Sequence, residues 1–249
     1  MDKKDSPAYD GDMAVQKFKG QVLRNEFITP TVFEIDFKLD NEAFSFDAGQ
    51  FIMVKFKDPE TPDKTLSRAY SILSPPENSV LTLCVKLVEG GKGTNYLKNL
   101  KVNEIVDLTG PYGKFVYKTT KPKFPFFIST GTGIAPFVSM MESSKFKESH
   151  PSKGVCLFGV RTEDEILYQH NFSKDPSFEY IATVSKPSEN YKGFKGRVTH
   201  YLKELPITYD WTLADYYICG GNDMIKEVKE ILMSRGVPKE QIFQEIYFT

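Results

Sequence analysis

Two domains are expected: an N-terminal antiparallel β-barrel, then a C-terminal α/β domain built on a doubly wound parallel sheet. Three observations predict this. Short strands separated by turns fill the first half of the 249 residues. From Phe126 onward, buried strands alternate with helical segments, the rhythm of a parallel sheet covered on both faces. Between them lies Thr119-Thr120-Lys121-Pro122-Lys123, polar and proline-bearing, as a domain boundary tends to be. We divide the chain at 1–13 (a flexible arm), 14–120 (the barrel) and 121–249 (the α/β domain).

The barrel is read strand by strand. Lys19 to Leu23 leads to Val32-Phe33-Glu34-Ile35-Asp36-Phe37, whose apolar–polar alternation marks a half-buried strand. Asp47-Ala48-Gly49-Gln50 turns into the strand Phe51–Phe56, and the loop 58–64 follows. Leu66 to Ile72 and Leu81 to Val88 are the next strands. A helix over Gly93–Leu100 interrupts them, with Thr94 or Asn95 as its cap. Ile105–Leu108 and the turn Gly110-Pro111-Tyr112-Gly113 complete the unit, the expected closed barrel. In the second half, strands are expected at Phe126–Ser129, Val155–Val160, Tyr180–Val184, Asp215–Cys219 and Ile242–Phe248. Helices are expected at Ile134–Glu142, Ile166–Phe172, Val198–Leu205 and Asp223–Arg235, the last capped by Asn222.

Composition narrows the function. Net charge is -1, with 26% charged and 40% hydrophobic residues. That balance argues against a nucleic-acid or membrane-surface binder, which needs a basic face. Cys84, Cys156 and Cys219 are far apart, and no CxxC pair exists. A thiolate metal site is therefore not expected, and the low odd count suggests a reducing compartment. His150, His170 and His200 lack ligand spacing, so no metal is expected. The polar N-terminus and the lack of a transmembrane-length apolar run point to a cytoplasmic protein.

Four stretches carry chemistry. In Leu66-Ser67-Arg68-Ala69-Tyr70-Ser71-Ile72, Arg68 and Tyr70 share a strand face. A guanidinium can hold a diphosphate, a tyrosine ring can cover a planar cofactor, and a hydroxyl can donate to a ring nitrogen. Alone, the stretch equally fits a strand with one exposed Arg and a core Tyr. Thr130-Gly131-Thr132-Gly133-Ile134-Ala135-Pro136 follows a strand and opens a helix, which suits a diphosphate or an ordinary tight turn. Cys219-Gly220-Gly221-Asn222 lets a flat ring approach the backbone, although a buried structural cysteine is the commoner case. Glu245 and Tyr247 share a face of the last strand and fit a ring cover or a solvated edge. In an open α/β sheet, ligands bind beyond the carboxyl ends of the strands, where the last three of these stretches lie.

In this order and on this two-domain rhythm, the stretches resemble the ferredoxin–NADP reductase superfamily, closest to the bacterial ferredoxin and flavodoxin reductases, over about Phe18 to Phe248. Arg68-Ala69-Tyr70-Ser71 resembles its flavin signature. Cys84-Val85-Lys86 with Lys92-Gly93-Thr94 resembles its second flavin segment, and Leu108–Lys114 the turn leaving the barrel. Gly131–Phe137 resembles its pyridine-nucleotide signature, and Cys219-Gly220-Gly221 with Met224 its nicotinamide segment.

The resemblance implies an FAD-binding barrel and an NAD(P)-binding α/β domain, with the flavin edge in the cleft between them. It implies that Arg68 and the helix start at Gly93 and Thr94 hold the flavin diphosphate. Tyr70 would stack on the isoalloxazine, and Ser71 would reach N5. Thr132 would lie near both rings, and Cys219 would place the nicotinamide. Glu245-Ile246-Tyr247 resembles the C-terminal acid–x–aromatic of the family, so Ser71, Cys219, Glu245 and Tyr247 are the expected catalytic set. Either Tyr247 or Phe248 covers the flavin. Val160, Arg161, Ser185, Lys186 and Arg197, with Gly131, Gly133, Gly220 and Gly221, would take the nucleotide. Cations near its 2′-position (Arg161, Lys186, Lys192, Lys195, Arg197) favour NADP(H) over NAD(H).

The implied activity is hydride exchange between NAD(P)H and FAD, with single electrons passed to a ferredoxin or flavodoxin that docks transiently on a monomer. Lys64, Lys86, Lys92 and Lys114 are candidate docking lysines. The reductase component of an oxygenase, a free-flavin reductase and, remotely, a non-catalytic nucleotide-binding module are the alternatives.

Overall fold

The computed structural model describes residues 14–119, 122–206 and 208–247. The expected arm at 1–13 lies outside them, as does Phe248.

The first sheet contains β1 (Gln16–Phe27), β2 (Val32–Leu39), β3 (Phe51–Lys57), β4 (Thr65–Ser71), β5 (Val80–Lys86) and β6 (Ile105–Tyr112), with α1 (Lys92–Asn99) inserted before β6. Its order is β4-β3-β6-β1-β2-β5, and every neighbouring pair is antiparallel. The outer strands meet where Ile72, just past β4, bridges Leu83 of β5. The Leu73 N–H donates to the Thr82 carbonyl there, at 2.8 Å. Alternate residues point inward. Phe33, Ile35 and Phe37 from β2 pack on Ile52 and Val54 from β3 and on Leu83, Val106 and Leu108.

β1 runs farther than its sequence pattern suggests. Its second half carries Arg24 and Asn25, polar residues that conceal the strand, but both are partnered. The Arg24 guanidinium donates to Asp36 at 2.7 Å. The Asn25 amide donates to the Leu97 and Leu100 carbonyls, each at 2.9 Å, tying the end of α1 to the barrel.

The second sheet follows in the order β7 (Phe124–Thr130), α2 (Ala135–Glu142), α3 (Ser144–Ser149), β8 (Gly154–Val160), α4 (Gln169–Ser173), β9 (Phe178–Val184), β10 (Phe194–Lys195), α5 (Val198–Glu204), β11 (Ala214–Gly220), α6 (Asn222–Ser234) and β12 (Ile242–Ile246). All pairs are parallel, in the order β10-β9-β8-β7-β11-β12. The winding reverses between β7 and β11, where an open α/β sheet leaves its ligand crevice. β8 and β11 are apolar almost throughout because both faces are covered. One of the two apolar layers continues into the barrel: Ala48, Leu73, Cys84 and Phe115 join Phe127, Phe137 and Phe158 in a single cluster. The Ser139 hydroxyl of α2 also donates to the Ser74 carbonyl at 2.8 Å, wholly buried.

Several local expectations are corrected. Neither Thr94 nor Asn95 caps α1; Gly91 stands at that position, and both side chains donate back to its carbonyl. Gly221 rather than Asn222 precedes α6. α4 starts at Gln169, because the left-handed Tyr168, φ +54, keeps Ile166 to Tyr168 out of the helix. α3 was not foreseen; the Ser143 hydroxyl caps it by accepting from the Phe146 N–H.

Candidate functional site

The site is assembled from the end of β4, the start of α1, the β7–α2 turn and the ends of β11 and β12. On β4, Ser71 is buried while Arg68 is exposed and Tyr70 half-buried. The Arg68 guanidinium donates to its own strand at the Ser67 carbonyl, 2.9 Å. Gly93 of α1 lies against both neighbours. A Cβ there would fall 2.8 Å from Arg68 Cγ and 2.8 Å from the Tyr70 hydroxyl. Burial pushes the Tyr70 phenol up to about 12, so it stays protonated. No side chain caps α1, leaving first-turn N–H groups beside a guanidinium. This cradle fits a diphosphate with a flat ring beside it.

The chemistry converges on Ser71. Its hydroxyl donates to Glu245 Oε2 at 3.3 Å and accepts from the Tyr247 hydroxyl at 2.7 Å. Tyr247 also reaches the Thr132 carbonyl at 3.4 Å, and its N–H donates to the Gly220 carbonyl at 2.9 Å. Ser71 belongs to the barrel and the others to the α/β sheet, so the junction joins the two units. β12 delivers Glu245 because it pairs in parallel with β11, setting Cys219 opposite Glu245. Gly133 packs on that strand end: a Cβ on it would lie 2.5 Å from the Cys219 carbonyl oxygen. Burial raises the Glu245 carboxyl to about 7, and the Ser71 hydrogen bond opposes this. Burial likewise pushes the Cys219 thiol and the Tyr247 phenol well above their ordinary ranges. Cys219 is therefore a neutral, fully buried thiol rather than a thiolate nucleophile.

Beside the junction lies a cavity of about 390 Å³. Its wall includes Gly131, Val160, Arg161, Ser185 and Arg197, together with Lys86 from the barrel. Gly131 takes φ +54 with open space where a side chain would be, a conformation that favours glycine. The Thr199 hydroxyl, also in the wall, is buried beside the Glu227 carboxylate of the same wall. Arg161, Ser185 and Arg197, beyond the strand ends, fit the ribose and phosphate portions of a nucleotide.

Not every expected residue joins these groups. Lys92 turns away to Asp58 and Glu60, at 2.8 and 2.7 Å. Lys186 is exposed and lies outside the cavity wall; its N–H donates to the Arg161 carbonyl at 2.7 Å. Cys84 and Val85 are buried at the end of β5, and Ala69 is exposed on β4. Gly221 has open space around it, as a close backbone approach requires. Sequence reasoning missed Gln50, whose amide donates to the Gly113 carbonyl at 2.9 Å and whose own carbonyl accepts from the Ile72 N–H at 3.1 Å. It also missed Thr199 and Glu165, which carry no local signal. Among the described residues no cluster could hold a metal ion, and no helix is long and apolar enough to cross a membrane.

A curled antiparallel barrel with a diphosphate cradle, joined at Ser71 to a doubly wound sheet, defines the class of two-domain flavin- and pyridine-nucleotide-binding oxidoreductases. Comparison with known proteins agrees. Residues 19–117 match the oxidoreductase FAD-binding domain, and residues 127–230 the oxidoreductase NAD-binding domain. Ferredoxin–NADP reductase B of Sorangium cellulosum (strain So ce56) is 30% identical over 243 residues, covering 93% of this chain and 98% of that protein. The reductase component of phenol 2-monooxygenase from Pseudomonas sp. (strain CF600) is 29% identical over 244 residues, covering 94% of this chain and 67% of that one. A ferredoxin NADP+ reductase from Neisseria gonorrhoeae, solved with bound FAD and NADP, superposes with a TM-score of 0.82 at 21% identity, over 93% of this chain and 99% of that one. The chain belongs to the ferredoxin–NADP reductase family. It is an oxidoreductase with an FAD-binding and an NAD(P)-binding domain, and the non-catalytic alternative is set aside.

Proposed function

We propose that this chain moves hydride between NADPH and FAD and passes single electrons to a separate ferredoxin or flavodoxin. The observation that carries the reading is the junction at Ser71, where the flavin-side hydroxyl meets Glu245 and Tyr247 from the nucleotide side within 3.3 Å. FAD, when bound, supplies the redox chemistry, accepting a hydride and releasing its electrons singly.

The chain's own residues orient the two rings. Arg68 and the start of α1 would hold the flavin diphosphate, Tyr70 would cover the ring system, and Ser71 would serve its N5. Gly131, Thr132 and Gly133 admit the nucleotide, and Cys219 with Gly220 supports the nicotinamide. Hydride transfer requires the reacting atoms about 3–3.5 Å apart. Tyr247, bonded to Ser71 and close to Thr132, occupies the approach and must shift for the nicotinamide to enter. We assign it the role of flavin cover. Glu245 serves Ser71 as a proton acceptor and donor.

Arg161, Ser185 and Arg197 in the cavity wall support NADPH over NADH, as does similarity to a protein named for NADP. Lys186 can contribute only from outside that wall. Of the proposed docking lysines, Lys86 pairs with Glu165 and Lys92 with Asp58. A docking role for either requires exchanging that partner. Three unpaired buried cysteines agree with a cytoplasmic setting, and we take the working form to be a monomer.

Similarity to a phenol 2-monooxygenase reductase component supports a second reading, delivery of electrons to an oxygenase. Stopped-flow assays with NADPH and, separately, a ferredoxin, a flavodoxin and free FMN distinguish the readings. Rapid reduction of a protein carrier is expected. Negligible rates with both carriers would contradict the first reading.

A further inference from the structure

The wall of the nucleotide cavity is formally neutral. Lys86, Arg161 and Arg197 are offset by Glu165, Asp223 and Glu227. A site for a polyanion favours excess positive charge, so the carboxylates need an account. Glu227 pairs with Lys203, which lies outside the wall, at 2.7 Å. Glu165 instead pairs with one of the cavity's own cations: its Oε1 is 2.7 Å from Lys86 Nζ. The same oxygen accepts from the Thr31 hydroxyl at 3.2 Å. The Glu165 side chain is only 14% exposed, that of Lys86 44%.

This pair is part of a seam between the two sheets. Thr31 and Val32 stand at the start of β2 and Lys86 at the end of β5, while Glu165 and Leu167 lie between β8 and α4. Val32 and Leu167 line the cavity between them. At the far end of the seam, the Tyr168 hydroxyl donates to Glu34 Oε1 at 2.9 Å. Tyr168 holds φ +54, a left-handed conformation that a bulky residue keeps only when its surroundings enforce it. The seam thus fixes the segment that carries Glu165, and Glu165 fixes Lys86.

We propose that Glu165 sets the affinity for the dinucleotide: it holds Lys86 in the free enzyme, and the nucleotide phosphates must take Lys86 from it. This rests on the cavity being the pyridine-nucleotide site. Binding then exchanges a formed ion pair for a new one, and a carboxylate remains near the phosphates. Affinity is lower than the three cations would otherwise give, and product leaves more readily.

The test is titration of the FAD-loaded full chain with NADP+ at several salt concentrations. We expect Glu165→Gln to tighten binding about 3- to 10-fold, the scale of a partly exposed charge pair, and to steepen the salt dependence. Glu165→Asp, with a shorter reach, is expected to lie between and serves if the Gln variant does not fold. In a Lys86→Gln background, Glu165→Gln is expected to lose most of its gain, the signature of coupling. Tyr168→Phe is expected to lower the melting temperature without tightening binding. Unchanged or weaker NADP+ binding in the folded Glu165 variants would overturn the proposal and leave Glu165 a tie between the sheets. If the unaltered protein binds neither NADP+ nor NAD+, the nucleotide reading itself fails.

Discussion

Glu245 is the residue whose environment has the clearest measurable consequence. Its folded-state carboxyl is raised from 4.5 to about 7 by burial. The folded state therefore binds a proton that the unfolded chain has already released across this interval. Glu245 contributes its full stability below the unfolded value and loses that contribution as pH rises through about 7. At about 1.4 kcal/mol per pKa unit, the loss is on the order of 3 kcal/mol. Replacement by Gln removes this dependence. The melting temperature of Glu245→Gln relative to the unaltered protein is expected to climb between pH 5 and pH 8. A constant difference would mean that the carboxyl is not held protonated. Strand spacing put Glu245 on one face with Tyr247 but fitted a solvated edge equally well; only the family resemblance singled it out. Glu165 was not legible, because Glu163-Asp164-Glu165 reads as a solvated acidic run and only the fold brings it to Lys86.

At the scale of elements, the β7–α2 turn carries a tight constraint beside the site. Gly133 has no room for a side chain, since a Cβ would sit 2.5 Å from the backbone oxygen of Cys219. Gly133→Ala must push the turn away from β11, moving Thr132 relative to Tyr247 and Ser71. We expect a loss of about 1–3 kcal/mol in stability, typical of overpacking, and a fall in the rate of flavin reduction by NADPH. Normal kinetics in a folded Gly133→Ala protein would show that this contact does not position the site. The strand–helix alternation was visible in the sequence because β8 and β11 are apolar almost throughout. The full length of β1 was hidden by Arg24 and Asn25, whose partners lie on β2 and at the end of α1. Helix starts were misplaced because Gly91 and Gly221 precede α1 and α6, while Thr94, Asn95 and Asn222 lie inside them.

The whole molecule is held together by one apolar cluster that passes from the α/β sheet into the barrel, through Ala48, Leu73, Cys84 and Phe115. No residue pattern announces such a shared layer; it arises only when the two sheets pack. Its consequence is cooperative unfolding. Trp211, the chain's single tryptophan, belongs to the other layer of the α/β sheet, whereas the flavin cradle belongs to the barrel. Tryptophan fluorescence and flavin release are expected to report the same melting temperature; transitions several degrees apart would mean that the sheets unfold separately. The central claim is that the barrel presents a flavin to a nicotinamide held by the sheet, with Ser71, Glu245 and Tyr247 at the meeting point. An anaerobic titration of the FAD-loaded protein with NADPH, and separately NADH, followed in the visible spectrum, tests it most directly. The account predicts bleaching of the flavin at one NADPH per FAD, with NADH less effective. A protein that cannot be loaded with FAD, or a bound flavin that neither nucleotide bleaches, would contradict it.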